Sequence, residues 1–486
     1  MRNLYLGFLV FVISVSFSCA SSHASSAPAV EESPEVLIGE YYKRVNLPDC
    51  TTDTIQIKQG SLCGKVVSPS PGKDVNAYLG IPFAESTAGD NRWRAPEPVK
   101  PWKGGLKATE FGPSCPQSSP VKPQSEDCLT VNVWSPSEAS ETPNAVMVFI
   151  YGGAFVYGSS ADVLYNGAYT AARGDVVVVS FNYRVGALGF LAGLKDKATG
   201  EETNGNFGFQ DQILALKWVQ ENIGAFGGDP ERVTIYGESA GAMSIGLHLV
   251  SSPGSQGLYR AAIMESNPLG IPYRTLKDSH AISKRFADDL GCDKDDLKCM
   301  RGKLPEVVLD AQVQKNLAWP LVFHGIVDLL VWAPVIDGEV ITEQPINAIS
   351  SGKLMTPIMI GTNKNEGLLF IEHTKAAIGK KSLSALDYRL MIDFMIRGHA
   401  LHKKIYEKYP SAKGDNTNLI SRVVTDYLFI CPTWYTAKHS SHNTWSYAFD
   451  YVSSFNIWPK TPACADAVCH GDELPYVFHT AQQQGV

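Results

Sequence analysis

The sequence predicts an α/β fold: a mostly parallel central sheet with helices on both faces and a small antiparallel edge near its N-terminal side. Three observations carry that prediction. Val146–Tyr151 and Val176–Phe181 are unbroken apolar runs rich in β-branched residues, the pattern of strands covered on both faces. Helical patterns lie between these runs and again over Phe209–Ile223, and strand–helix alternation implies parallel pairing through crossovers. From Val66 to Trp102 short apolar stretches alternate with turn signals, including Tyr78–Pro82 and Arg92–Pro96, as short antiparallel strands at a sheet edge do.

In chain order, residues 1–24 read as a signal peptide: Arg2, an apolar run from Leu4 to Phe17, then the small residues Ser18-Cys19-Ala20 and Ser22-His23-Ala24. The run is shorter than the roughly 20 residues a membrane span needs. Ser16 stands where a lipid-modified Cys19 would usually require Leu, which disfavours lipid anchoring. Residues 25–35, rich in Ala, Ser, Pro and Glu, form a solvated tether. The remainder, 36–486, is long enough for one large α/β domain or two smaller ones, and is read as one. Charged residues make up only 19 %, against 44 % hydrophobic, which suits a sizeable core. A net charge of -7 without a Lys/Arg cluster argues against nucleic acid or an anionic membrane as partner. No Asn-x-Ser/Thr sequon occurs.

Ten cysteines suit an exported, secreted or periplasmic chain. Apart from Cys19, they fall into close neighbours: Cys50 with Cys63, Cys115 with Cys128, Cys292 with Cys299, and Cys464 with Cys469, leaving Cys431 over. That pairing is one connectivity among many. Each short loop so closed would contribute about 2 to 4 kcal/mol.

The chemistry centres on Val233-Thr234-Ile235-Tyr236-Gly237-Glu238-Ser239-Ala240-Gly241, followed by Ala, Met, Ile and Leu at helical spacing. Strand, sharp turn and helix around Gly-x-Ser-x-Gly make a nucleophile elbow, with Gly237 and Gly241 giving clearance and Ser239 exposed at the apex. The Ala240 N–H opens the helix, where unpaired donors and the positive dipole end favour an oxyanion. Upstream, the first buried strand ends in Tyr151-Gly152-Gly153-Ala154-Phe155. Two amides of that loop, together with Ala240 N–H, would complete an oxyanion hole.

These stretches resemble the type-B carboxylesterase and cholinesterase family of α/β-hydrolases. So do Glu126–Trp134, Asn182–Phe190 and Phe226–Pro230, and the resemblance runs from about Gly60 to Phe478. It implies a sheet of eight or more strands, an acyl-enzyme mechanism, a deep gorge over the serine and no cofactor. It selects Gly153 and Ala154 as the loop amides, Ala154 standing where a third glycine is usual. It further implies ion pairs of Arg92 with Glu126 and Arg184 with Asp211, and disulfides Cys115–Cys128 and Cys292–Cys299.

This fold presents its triad in the order Ser, acid, His. Spacing cannot choose among the downstream histidines, but Cys469-His470-Gly471-Asp472-Glu473 through Phe478 looks like the family's histidine loop and singles out His470 as the base. For the acid, Glu366 after the strand Pro357–Asn363 and Asp337 in Pro334–Gly338 both remain open on the residues alone; Asp337 reads better as a turn residue. The resemblance selects Glu366. Cys464, Cys469 and His470 do not make a zinc site, since further ligands would be needed, so no metal is expected.

Two departures from the family pattern bear on function. The chain stops soon after His470, and Cys431 matches a cysteine whose family partner lies in a tail not present here, so apolar surface and a reactive thiol are expected near Tyr427–Trp434. No aromatic residue lies in Pro116–Asp127, whereas cholinesterases hold a quaternary ammonium over a tryptophan in that loop. Small or medium soluble esters are therefore expected before choline esters. Trp319, Trp332, Phe323 and Phe370 are candidate pocket residues. The alternatives are a non-catalytic binding or adhesion protein on the same scaffold and a truncated, inactive hydrolase.

Overall fold

The computed structural model describes residues 50–481, apart from 120, 139, 314–329 and 397–398. The signal peptide, the tether, Cys19, Trp319 and Phe323 lie outside the described residues. Among the described residues the central sheet has nine strands: β1 (Lys65–Ser70), β2 (Lys73–Pro82), β3 (Thr130–Pro136), β4 (Asn144–Ile150), β5 (Val177–Phe181), β6 (Gly228–Glu238), β7 (Ala261–Glu265), β8 (Ile358–Asn363) and β9 (Thr444–Phe449). Across the sheet they run β9-β8-β7-β6-β4-β5-β3-β2-β1. From β9 to β5 every pairing is parallel, and β3, β2 and β1 continue it antiparallel.

The apolar runs explain which strands are central. Every residue of β5 is buried, because Val178 packs with Trp134 and with Ala168, Ala171 and Ala172 of helix α1 (Ala168–Gly174), while Val177 and Val179 point into the larger core on the other face. Helix α2 (Phe207–Asn222) and helix α3 (Ala240–Val250) belong to that larger core. α3 packs against β6 and β7. Edge strand β1 is mostly half-buried or exposed and carries Pro69, as an edge tolerates. A separate small sheet joins Ile55–Ile57, Gly60–Cys63 and Gly105–Lys107.

One expected strand is absent. Arg92–Pro96 is irregular chain after a short 3-10 turn, because consecutive residues Arg92 and Trp93 are both committed inward, which the alternation of a strand does not allow. Arg92 Nε and Nη2 each donate to a Glu126 carboxylate oxygen at 2.6 Å, Nη1 donates to the Lys303 carbonyl, and Trp93 is buried with φ 58°.

Arg184 and Asp211 form the deeper ion pair. Arg184 Nε and Nη2 donate to the two carboxylate oxygens at 2.8 and 2.7 Å, the Arg184 backbone N–H adds a third bond at 2.9 Å, and the aspartate side chain is wholly buried. A buried pair is costly to break because the survivor is left charged and unsolvated. Asp211→Ala is expected to lower unfolding free energy in urea by about 3–5 kcal/mol, whereas Arg184→Met with Asp211→Leu should lose clearly less. Equal losses in the two proteins would contradict this account.

Among the described residues there are four disulfides, Cys50–Cys63, Cys115–Cys128, Cys292–Cys299 and Cys464–Cys469, and Cys431 is a free, exposed thiol. Cys431 opens helix α5 (Cys431–His439), beside an apolar groove of about 730 Å³ lined by Leu269, Ile271, Tyr427, Pro432 and Tyr435. Burial, then the Asp426 charge, pushes its pKa up, which lowers the share present as thiolate.

Candidate active site

β6 ends at Glu238 and α3 begins at Ala240, so Ser239 is the single residue of a strand-to-helix turn. Its backbone, at φ 57° and ψ -121°, lies where L-residues are rarely found. The flanking glycines permit it. A Cβ at Gly237 or Gly241 would stand 2.4 or 1.9 Å from the Ile150 carbonyl oxygen. The Ser239 N–H donates to the Glu265 carbonyl of β7 at 3.0 Å, which ties the turn to the neighbouring strand.

Beyond β4 the chain passes over the same edge through Gly152, Gly153 and Ala154. A Cβ on Gly152 would be 3.0 Å from Ser239 Cβ, so this loop runs close beside the serine. Gly153, Ala154 and Phe155 all have positive φ, at 105°, 54° and 62°. Position 153 accepts only glycine, since a Cβ would meet the Tyr157 carbonyl oxygen at 2.2 Å. Alanine at 154 occupies the left-handed region at a cost of about 1–2 kcal/mol. That twist leaves the Gly153 and Ala154 N–H groups without an acceptor among the described residues, and Ala240 supplies a third amide from the first turn of α3.

His470 comes from the far end of the chain. Helix α4 (Glu366–Ala377) starts just past β8, and its first residue, fully buried, accepts from Asn363 N–H at 2.7 Å through Oε1 and meets His470 Nδ1 at 2.6 Å through Oε2. The loop carrying His470 is braced by the Cys464–Cys469 disulfide, by Asn363 Nδ2 donating to the Cys469 carbonyl at 2.8 Å, and by Trp458 Nε1 donating to the His470 carbonyl at 2.9 Å. Phe370 and Phe429 lie 5.0 and 5.2 Å from the imidazole, centre to centre. Phe429 sits in a π-helical turn, Thr425–Ile430, and Pro432 just beyond it has no N–H to donate to Leu428, which explains the widened turn.

Ser239, His470, Gly153 and Ala154 line one cavity of about 280 Å³, together with Tyr157, Tyr165, Phe370 and Trp458. His470 Nε2 faces Glu238, 3.0 Å from Oε1, without hydrogen-bond alignment. Burial works against charge on this imidazole, but the Glu238 and Glu366 carboxylates outweigh it and hold its pKa well above the ordinary histidine value. Behind it, burial raises Asp472 to about 7 and Glu473 well above the usual carboxylate range.

One expected pocket residue and the alternative acid lie elsewhere. Trp332 is core, edge-on to Phe286 at 5.1 Å. Asp337 Oδ1 accepts from the N–H groups of Glu339 and Ile341 and is occupied by its own turn. Glu238, Tyr157 and Trp458 went unnoticed in the sequence; only Glu238 carried a signal, as the residue preceding the elbow serine.

Fold and site together define a carboxylic ester hydrolase: residues 51–485 match the model of the carboxylesterase family, and the chain belongs to that family. It is 37% identical over 416 residues to para-nitrobenzyl esterase of Bacillus subtilis (strain 168), covering 83% of this chain and 79% of that protein. A Dictyostelium discoideum relative, "cAMP-regulated D2 protein", is 37% identical over 426 residues, covering 84% and 76%. A solved PNB esterase structure superposes with a TM-score of 0.71 at 34% identity, covering 89% of this chain and 86% of that one.

Proposed function

We propose that this chain is an exported serine carboxylesterase that works through an acyl-enzyme. Ser239 Oγ attacks the ester carbonyl and gives its proton to His470 Nε2, while the N–H groups of Gly153, Ala154 and Ala240 hold the oxyanion. His470 returns the proton to the departing alcohol, then serves as base for the water that releases the acid. Glu366 keeps the proton on Nδ1, so that Nε2 is free to accept. The observation that carries the reading is convergence: a serine on a strained elbow and an imidazole backed by a buried glutamate, from segments far apart in the chain, line the same small cavity.

The cavity volume and the lack of an aromatic residue in the Cys115–Cys128 loop favour small or medium soluble esters over choline esters. Four disulfides suit an oxidising compartment, and no helix of the described residues is long and apolar enough to cross a membrane. A fluorophosphonate should label the protein one-to-one at Ser239, located by peptide mass spectrometry, and abolish p-nitrophenyl butyrate hydrolysis in parallel. Label elsewhere, or hydrolysis that persists after full labelling, would refute the mechanism.

A further inference from the structure

The proposed mechanism uses Glu366 and leaves several buried acids unassigned. Among these, Glu265 is singled out by register. β6 and β7 pair Glu238 with Glu265, β7 and β8 pair Glu265 with Gly361, and β8 and β9 pair Gly361 with Tyr447. Residues level with one another in neighbouring strands lie about 4.8 Å apart and point to the same face. Glu238, Glu265 and Tyr447 therefore form one row behind His470. Gly361 leaves a gap in it that Tyr447 fills, since a Cβ at 361 would stand 2.3 Å from the tyrosine ring.

The two glutamates are dry, Glu238 5% and Glu265 3% exposed, with Tyr447 half-buried at the end of the row. The groups facing Glu265 are Tyr236 and Glu238 from β6, Tyr447 from β9 and Glu473 from the loop after His470, and none is a cation. Two adjacent carboxyls in such a place cannot both ionise. The negative charge belongs on Glu238, which alone of the two meets His470 Nε2. Glu265 then keeps a proton, and burial followed by the Glu238 charge pushes it up to about 8. Glu238 Oε1 and Glu265 Oε2 are both buried without a hydrogen-bond partner among the described residues, a costly state for polar atoms unless they serve each other.

We propose that Glu265 is a positioning residue of this hydrolase: its neutral acid donates a hydrogen bond to Glu238 and so fixes the carboxylate that faces the His470 imidazole. The inference rests on the reading of Ser239 and His470 given above. When Glu265 loses its proton, Glu238 loses its donor and a second negative charge enters the row. The Glu238 carboxylate is then no longer held against the imidazole, and His470 is less well placed to take the Ser239 proton.

The test is the pH profile of kcat/KM for p-nitrophenyl acetate between pH 5.5 and 9.5, for wild type, Glu265→Gln and Glu265→Leu, each titrated with a fluorophosphonate. Wild type should bend downward above about pH 8 and lose about five- to tenfold by pH 9.5. Gln keeps an N–H donor but cannot ionise, so its plateau should run through that range. Leu, with no donor, should fall about tenfold below Gln at pH 7. Superimposable wild-type and Gln profiles, with Ser239 labelled in both, overturn the role of Glu265 alone, and that comparison decides if the Leu variant does not fold. Absence of label at Ser239 in the wild type overturns the nucleophile assignment, and this proposal with it.

Discussion

Ser239→Ala is expected to lower kcat for p-nitrophenyl acetate by about 10⁴- to 10⁶-fold with KM changed by no more than a few-fold, because serine and base act as a unit and removing either removes the covalent route. The fold should not register the change. Alanine keeps the Cβ that already tolerates φ 57°, and what ties the residue to β7 is its backbone N–H, not its hydroxyl. Thermal unfolding should therefore coincide with wild type. Residual turnover above the uncatalysed rate would come from the amides of Gly153, Ala154 and Ala240, about 10³- to 10⁴-fold. Full activity in the variant would exclude Ser239 as nucleophile, and a collapse in stability would mean that the hydroxyl has a structural task.

How much of this could be read in the sequence depends on whether the physical signal was local. The elbow was legible because strand, clearance glycine, serine, clearance glycine and helix follow one another within a dozen residues. The buried strands were legible too, since β4 and β5 need apolar residues on both faces and say so by failing to alternate. His470 was legible only through family resemblance. Other histidines are in comparable apolar surroundings yet do structural work: His248 is fully buried, stacked on Phe209 and bonded to Gln212, and burial drives its pKa down to about 3.

The residues alone leave Glu366 and Asp337 both open and only the resemblance chooses Glu366; that Asp337 is engaged by its own turn is a three-dimensional fact. The row of Glu238, Glu265 and Tyr447 was invisible for a stronger reason. Its members belong to three strands scattered over the chain, and only the register of four adjacent strands aligns them. A glutamate inside an apolar strand carries no local mark of whether it holds its proton.

Glu366→Gln is expected to reduce kcat by about 10⁴-fold although the side chain is nearly isosteric. The reason lies in what each oxygen of Glu366 accepts. Oε1 takes the Asn363 N–H at 2.7 Å and Oε2 faces His470 Nδ1 at 2.6 Å, so both positions require an acceptor. Glutamine has one acceptor and one donor group. If its carbonyl serves Asn363, its NH₂ confronts Nδ1, which must become an acceptor; the imidazole proton then moves to Nε2, the atom that should receive the Ser239 proton. If the amide is reversed, its NH₂ confronts the Asn363 N–H, and a buried donor–donor clash loosens the start of α4. The charge matters separately: with Glu366 neutral the imidazolium loses one of the two carboxylates that hold its pKa up, so the acid limb of the residual kcat/KM profile should move to lower pH. Glu366→Asp keeps charge and acceptors but withdraws them by one methylene, and should recover part of the loss. Near-wild-type turnover in Glu366→Gln would mean that the carboxylate only packs against His470, and an unmoved acid limb would mean that its charge does not reach the imidazole.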